Sequence, residues 1–148
     1  MVLDGGANKG VFSKAVAARF PVRTIAVEAD PILAATLRAE GLEVAECALG
    51  DHDKSAAFHL GENDETSSLM APSSNDGLLV VRDTVTVRMR TLEDVLAEHG
   101  LERVSCVKLD IESGEIAVLN GLAARAEDRS PMDDRIPRSS AVPAVDRR

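Results

Sequence analysis

The feature that most constrains this chain is its opening run, Met1-Val-Leu-Asp-Gly-Gly-Ala-Asn-Lys-Gly10. A short apolar stretch, Val2 and Leu3, ends in Asp4. A glycine-rich turn follows, and a helical segment starts at Val11 and reaches about Phe20. Strand, tight loop and helix in that order form the βα unit that builds nucleotide-type cofactor sites. Glycine matters there because a residue without Cβ tolerates φ > 0 and lets the backbone approach a ligand closely. Two common versions of the unit are excluded. An acid stands where the first glycine of G-x-G-x-x-G would be, which argues against a nicotinamide-dependent oxidoreductase, and no Gly-Lys-Ser/Thr follows as in a P-loop. On the loop alone, a plain connecting turn is the competing reading.

A second acid falls where a cofactor site needs one. Thr24-Ile-Ala-Val-Glu28 is a short β-rich run ending in a carboxylate about 20 residues after the loop, the spacing at which an acid meets ribose hydroxyls. An ionised carboxylate accepts through both oxygens, so Glu28 suits that role; a solvated strand-end acid is the alternative. Asp30 then reads as an N-cap and Pro31 as the first helical residue, with Ile32, Leu33, Leu37 and Thr36 on the apolar face.

With 148 residues and 45% hydrophobic composition, the chain suits one α/β domain with a true core. Aromatics are 2%, with no Trp and no Tyr, so platforms for stacking nucleic-acid bases are nearly absent. A net charge of −8 argues against nucleic-acid or anionic-membrane surfaces. Cys47 and Cys106 fall inside expected strands and read as small buried hydrophobes of a reducing compartment. His52, His59 and His99 have no metal-ligand spacing, and no metal site is expected. His59 and His99 read as surface residues rather than bases. No apolar run approaches the length of a membrane span and no signal peptide is visible, so a soluble, cytoplasmic protein is expected.

Strands and helices alternate through the first half: strand 1–4, helix 11–19, strand 24–28, helix 31–40 closed by Gly41, strand 43–48. Such alternation implies a parallel sheet with right-handed crossovers. Ser55–Leu60 and Thr84–Arg90 read as further strands, the second with the alternation of a half-buried one. The stretch 61–77, rich in Ser, Asn, Asp and Gly, reads as a long loop. Thr91 and Asp94 form a capping box for a helix that stops at Gly100. Val104–Ile111 is a buried-type strand. Glu115 to about Ala124 is a helix with Ile116, Val118, Leu119 and Leu122 inward. Residues 125–148 mix Arg, Asp, Pro and Ser with no apolar stripe and read as a disordered or aberrant tail.

Asp4-x-Gly6-x-x-x-Gly10 resembles motif I of the S-adenosylmethionine-dependent methyltransferases. Six blocks in order make the resemblance specific: Val2–Gly10, Ala26–Pro31, Cys47–Asp51, Glu65–Leu69, Arg90–Asp94 and Val107–Glu115. Together, over residues 1–122, they resemble the FkbM family of these enzymes. The resemblance implies an α/β, Rossmann-like class I methyltransferase fold, a mostly parallel sheet with helices on both faces. It implies S-adenosylmethionine as cofactor and O-methylation of a hydroxyl on a sugar, lipid or secondary metabolite. Asp4, Gly5, Gly6, Ala7, Asn8 and Gly10 match the cofactor loop. Glu28 with Ala29 matches the ribose end, and Ala48 and Leu49 match positions beside the adenine. Ser67 and Ser68 match a serine-rich loop near the site, and Asp110 and Glu112 the acidic motif at its mouth. Ser113-Gly114 departs from the family's usual Gly-Ala.

Methyl transfer to a hydroxyl is mainly positioning, helped by a base that takes the proton. Asp110, at a strand end facing the crevice, is the expected base; Glu112 shares that role or binds the acceptor, or else is a helix-start acid favoured by the dipole. Asp110 and Glu112 could also ligate Mg²⁺, but a hard cation needs more oxygens than the sequence offers. The family's fifth parallel strand and closing antiparallel pair have no counterpart after Ala124. The sequence therefore predicts a methyltransferase domain over 1–124 that is incomplete at its C-terminal side and clipped before Met1, with strand 104–111 left as an uncovered edge prone to self-association. The alternative to an active enzyme is an inactive remnant, at most a cofactor-binding module.

Overall fold

A computed structural model describes residues 1–61, 67–69, 81–101, 104–112 and 114–128, with side chains to Ala124. Its first βαβ unit follows the sequence pattern: β1 (Val2–Gly5), α1 (Val11–Arg19) and β2 (Thr24–Glu28). Then come α2 (Pro31–Ala39), β3 (Glu43–Glu46), β4 (Ala48–Leu49), β5 (Lys54–Gly61), β6 (Val81–Arg90), α3 (Leu92–Glu98), β7 (Cys106–Leu109) and α4 (Glu115–Asp128). Strands β3, β2, β1 and β7 form a parallel sheet in that order. β1 is paired along its whole length on both sides, Val2–Gly5 against Thr24–Val27 and against Cys106–Leu109.

Strand alternation sends successive residues to opposite faces. Leu3, Ile25, Val27 and Ala45 meet Leu92, Val95 and Val118 from α3 and α4. Ala26 and Val44 meet Leu37 of α2 on the other face. Helices thus cover both faces of a parallel sheet, the Rossmann-like architecture that the sequence implies. α2 starts as expected: the Asp30 carboxylate accepts from the amides of Ile32 (2.7 Å) and Leu33 (3.3 Å), with Pro31 at the first position. Thr91 caps α3 in the same way, accepting from the Asp94 amide at 3.2 Å.

Several expectations need correction. The strand expected over 43–48 breaks at Cys47, whose amide bonds the Glu28 carbonyl at 3.1 Å. Ala48 and Leu49 then leave the first sheet and pair with Met89 and Arg90 in a second sheet of order β4-β6-β5. On α2, Ile32 is exposed and Thr36 points to solvent; Ala34 and Leu37 are the buried pair. On α4, Val118 is buried and Leu122 packs on the core, but Ile116 and Leu119 are exposed. Cys106 and Val107 are exposed as well, because β7 is the edge of the sheet among the described residues. Cys47 alone of the two cysteines is a buried hydrophobe. His99 is half-buried, its ring bonded to Glu43 at 2.8 Å, rather than a surface residue. α4 runs to Asp128, past the expected end near Ala124. Most of the serine-rich stretch 61–77, and the tail from residue 129, lie outside the described residues.

Candidate active site

At the carboxyl ends of β1, β2 and β7 lies a cleft of about 700 Å³. This is where parallel α/β sheets place ligands, beside the strand at which chain order reverses. The β1–α1 loop forms its floor. The amides of Gly6 and Ala7 both bond the Val27 carbonyl at 3.0 Å, which draws the loop over the end of β2. Gly6 and Gly10 sit at φ +70°, and Asn8 at +51°, a left-handed run that turns the chain into α1. A side chain at Gly6 has no room: its Cβ would lie 1.9 Å from the Asp110 carbonyl oxygen.

Glu28 lies in the cleft wall, 6% exposed. Its carboxylate accepts from the Asn8 amide at 2.6 Å and the Asp30 amide at 2.8 Å, so the loop and the start of α2 together fix its orientation. Burial raises its pKa above the usual carboxylate range, while these backbone hydrogen bonds pull the other way. Two oxygens carry about four acceptor sites, so the carboxylate retains capacity toward the cleft. Ala29, Ala48, Leu49, Cys47 and Phe58 continue the wall on this side as an apolar slot. Phe58 comes from the second sheet, packed with Ala29 and Ala48.

The opposite end of the cleft is charged. Asp110 and Glu112 line it, both exposed. The Asp110 amide extends the β1–β7 register by bonding the Gly5 carbonyl at 3.0 Å. Glu112 has φ +52°, and its carbonyl accepts from the Ser68 hydroxyl at 3.1 Å. Ser67 and Leu69 of the same short segment line the cleft.

Of the expected cofactor residues, Gly6, Ala7, Asn8, Glu28, Ala29, Ala48 and Leu49 line one cavity, together with the expected acids Asp110 and Glu112. Asp4, Gly5 and Gly10 do not line it. Asp4 is wholly buried beneath the floor, where it accepts from the Ser13 hydroxyl at 2.7 Å and pairs with the Lys108 ammonium at 3.0 Å. Lys108 itself was missed by the sequence reading. Its register partner on β1 is Asp4; its ammonium also bonds the Gly6 carbonyl at 3.1 Å and stands 3.6 Å from Asp110 and 5.9 Å from the Phe12 ring centre. The available signal was strand alternation, which puts residues 108 and 110 on the same face. Among the described residues no group of His, Cys, Asp and Glu is placed to hold a metal ion, and no helix is long and apolar enough to cross a membrane.

A parallel sheet covered by helices on both faces, with a left-handed glycine turn and a strand-end acid at one cleft, defines a Rossmann-like α/β domain. Comparison with known proteins narrows this. The family described as the methyltransferase FkbM domain matches residues 4–130, and the chain belongs to that family. Methyltransferase 1 of Beauveria bassiana (strain ARSEF 2860) is 29% identical, the match covering 82% of this chain and 57% of the relative. Methyltransferase sdnD of Sordaria araneosa is 26% identical over 82% of this chain and 60% of the relative. The AMB antimetabolite synthetase AmbE of Pseudomonas aeruginosa is 28% identical over 82% of this chain and 8% of that much longer protein. The chain thus spans somewhat over half the length of the two fungal methyltransferases. No solved structure matches it.

Proposed function

We propose that the cleft binds S-adenosylmethionine and that its charged end directs the methyl group to a hydroxyl oxygen of a small-molecule, glycan or lipid acceptor. The observation that carries this reading is the shared cavity: the buried Glu28 carboxylate at one end, Asp110 at the other, and the Gly6–Asn8 loop between them. Glu28 would take the ribose hydroxyls, held ready by the Asn8 and Asp30 amides. Ala29, Ala48, Leu49 and Phe58 supply a flat apolar slot for an adenine ring. The bound cofactor supplies an electrophilic methyl carbon. The protein's part is to align an acceptor oxygen about 3–3.5 Å from it, and Asp110 is the carboxylate placed to accept the hydroxyl proton. Glu112, whose backbone Ser68 holds, binds or orients the acceptor.

The test is calorimetric titration with S-adenosylmethionine. The folded protein should bind it, and Glu28→Ala should weaken binding by tenfold or more, since hydrogen bonds to a charged group contribute about 1.5–3 kcal/mol each. Equal affinity in the two proteins removes Glu28 from the ribose role. The second reading, a module that binds cofactor without turnover, is suggested by the edge that β7 presents among the described residues, with Cys106 and Val107 exposed. Binding with no methylated product across a panel of alcohols would select it.

A further inference from the structure

Lys108 belongs to none of the roles above, yet its ammonium is a tethered charge at the cleft. It forms an ion pair with the buried Asp4 carboxylate at 3.0 Å, donates to the Gly6 carbonyl at 3.1 Å, and is 27% exposed. An ammonium has three N–H donors. One is spent on the Gly6 carbonyl, and the ion pair with buried Asp4 holds the charge beneath the loop. Phe12 covers its flank, and the nearest other charge is Asp110 at 3.6 Å.

The sheet order sets what this charge faces. β2, bearing Glu28, and β7, bearing Lys108, flank β1 on opposite sides. A cofactor anchored by its ribose at Glu28 must cross β1 to bring its methyl group to an oxygen within reach of Asp110. Its sulfur would then lie toward the β7 side of the cleft, which Lys108 and Asp110 line. We propose that Lys108 is a specificity-determining residue: its fixed positive charge disfavours the sulfonium of S-adenosylmethionine relative to the neutral thioether of S-adenosylhomocysteine. This rests on the methyltransferase reading above. In the transfer the carbon–sulfur bond breaks with its electron pair staying on sulfur, the oxygen–carbon bond forms, and the hydroxyl proton passes to Asp110. The charge on sulfur is what separates the two ligands, so a nearby fixed cation acts on the ratio of their affinities.

For unit charges about 8 Å apart at an effective dielectric constant of about 30, the effect on relative affinity is about tenfold. The experiment measures dissociation constants for both ligands by calorimetry at pH 8 and low ionic strength. Lys108→Gln retains a donor for Gly6 and Asp4 but no charge, and should favour S-adenosylmethionine over S-adenosylhomocysteine about tenfold more than the parent does. Lys108→Arg, which keeps the charge, should leave the ratio within twofold. Equal weakening of both ligands in Lys108→Gln overturns the proposal and makes Lys108 a strut for the loop; so does a ratio in Lys108→Arg that moves as far as in Lys108→Gln. If Lys108→Gln does not fold, the double variant Asp4→Asn/Lys108→Gln leaves no buried charge unpaired. A shift of about threefold is expected there, smaller because Asp4 lies deeper, and an unchanged ratio overturns the proposal. A folded parent that binds neither ligand refutes the cofactor reading itself, a result distinct from all of these.

Discussion

Gly6→Ala tests whether the loop geometry is set by close packing of backbone on backbone. Gly6 has φ +70°, and a Cβ there would meet the Asp110 carbonyl oxygen at 1.9 Å and its carbon at 2.9 Å. Left-handed backbone costs a non-glycine residue about 1–2 kcal/mol. Relieving the contact is a second, larger cost, because the obstacle is main chain. Asp110 must retreat by about 1 Å or more, against its amide's 3.0 Å bond to the Gly5 carbonyl. The two contributions together predict about 3 kcal/mol or more of destabilisation, near the upper end for single substitutions. Gly41→Ala separates them. Gly41 has φ +89° but nothing within 4 Å of its would-be Cβ, so only the conformational cost applies. Thermal unfolding reads both, at about 3–4 °C per kcal/mol for a chain of this size. Gly6→Ala should melt about 10 °C or more below the parent and Gly41→Ala about 3–8 °C below. Equal losses in the two variants would refute the packing argument and leave only backbone conformation.

Asp110→Asn should reduce turnover on any accepted alcohol by about 10²–10⁴-fold, the usual contribution of a positioned base, while cofactor affinity measured by calorimetry changes by only a few-fold; a loss confined to affinity makes Asp110 a binding residue. Alkylation with iodoacetamide at pH 8 should add one adduct, at exposed Cys106, because burial, ahead of opposing effects from Arg90 and Arg88, pushes the Cys47 thiol up to about 11; intact mass and peptide mapping read this, and prompt labelling of Cys47 would show its pocket open to solvent. Glu43, bonded by Arg23 and His99, has its carboxyl lowered to about 2 from 4.5. A depressed acid stabilises the fold above its unfolded value and loses that contribution as pH falls from about 4.5 toward 2. Glu43→Gln should therefore flatten the acid limb of a urea-midpoint against pH curve, by no more than about 1 kcal/mol for so exposed a group, and an unchanged slope would remove this pair from the acid response.

Much of the fold was legible because local signals agreed. Asp30-Pro31, Thr91 with Asp94, and Gly41 mark helix ends by hydrogen-bonding chemistry that does not depend on the rest of the chain. The period-two run Thr84–Arg90 announced a strand for the same reason. What failed depended on partners distant in sequence. Cys106, in the apolar run 104–111, reads as a buried strand residue, whereas Cys106 and Val107 are exposed on β7, the edge strand of the described sheet. The inward face of α4 was misjudged for that reason too: Ile116 and Leu119 fit the helical period, but only Val118 and Leu122 have a sheet surface opposite. Ala48 and Leu49 read as the continuation of β3, since nothing local marks the hydrogen bond from Cys47 to Glu28 at which the chain changes sheets.

The same distinction runs through the site. Gly6 and the strand-end Glu28 could be placed from spacing alone, and both line one cavity, whereas Gly5 and Gly10 do not. Asp4 shows where spacing stops being sufficient. Its position at the end of β1 suggests a ligand contact, yet it is fully buried and turned to the α1 face, where it accepts from Ser13 and forms an ion pair with Lys108. Charge buried without a partner costs several kcal/mol, so an acid at this depth requires a cation, and the parallel register of β1 on β7 puts Lys108 directly beside it. The acid therefore acts at one remove: it fixes the ammonium that supports the Gly6 carbonyl and faces Asp110. Lys108 is in this sense the consequence of Asp4, and a site description that keeps the acid as a ligand contact and omits the lysine inverts which of the two charges reaches the cleft.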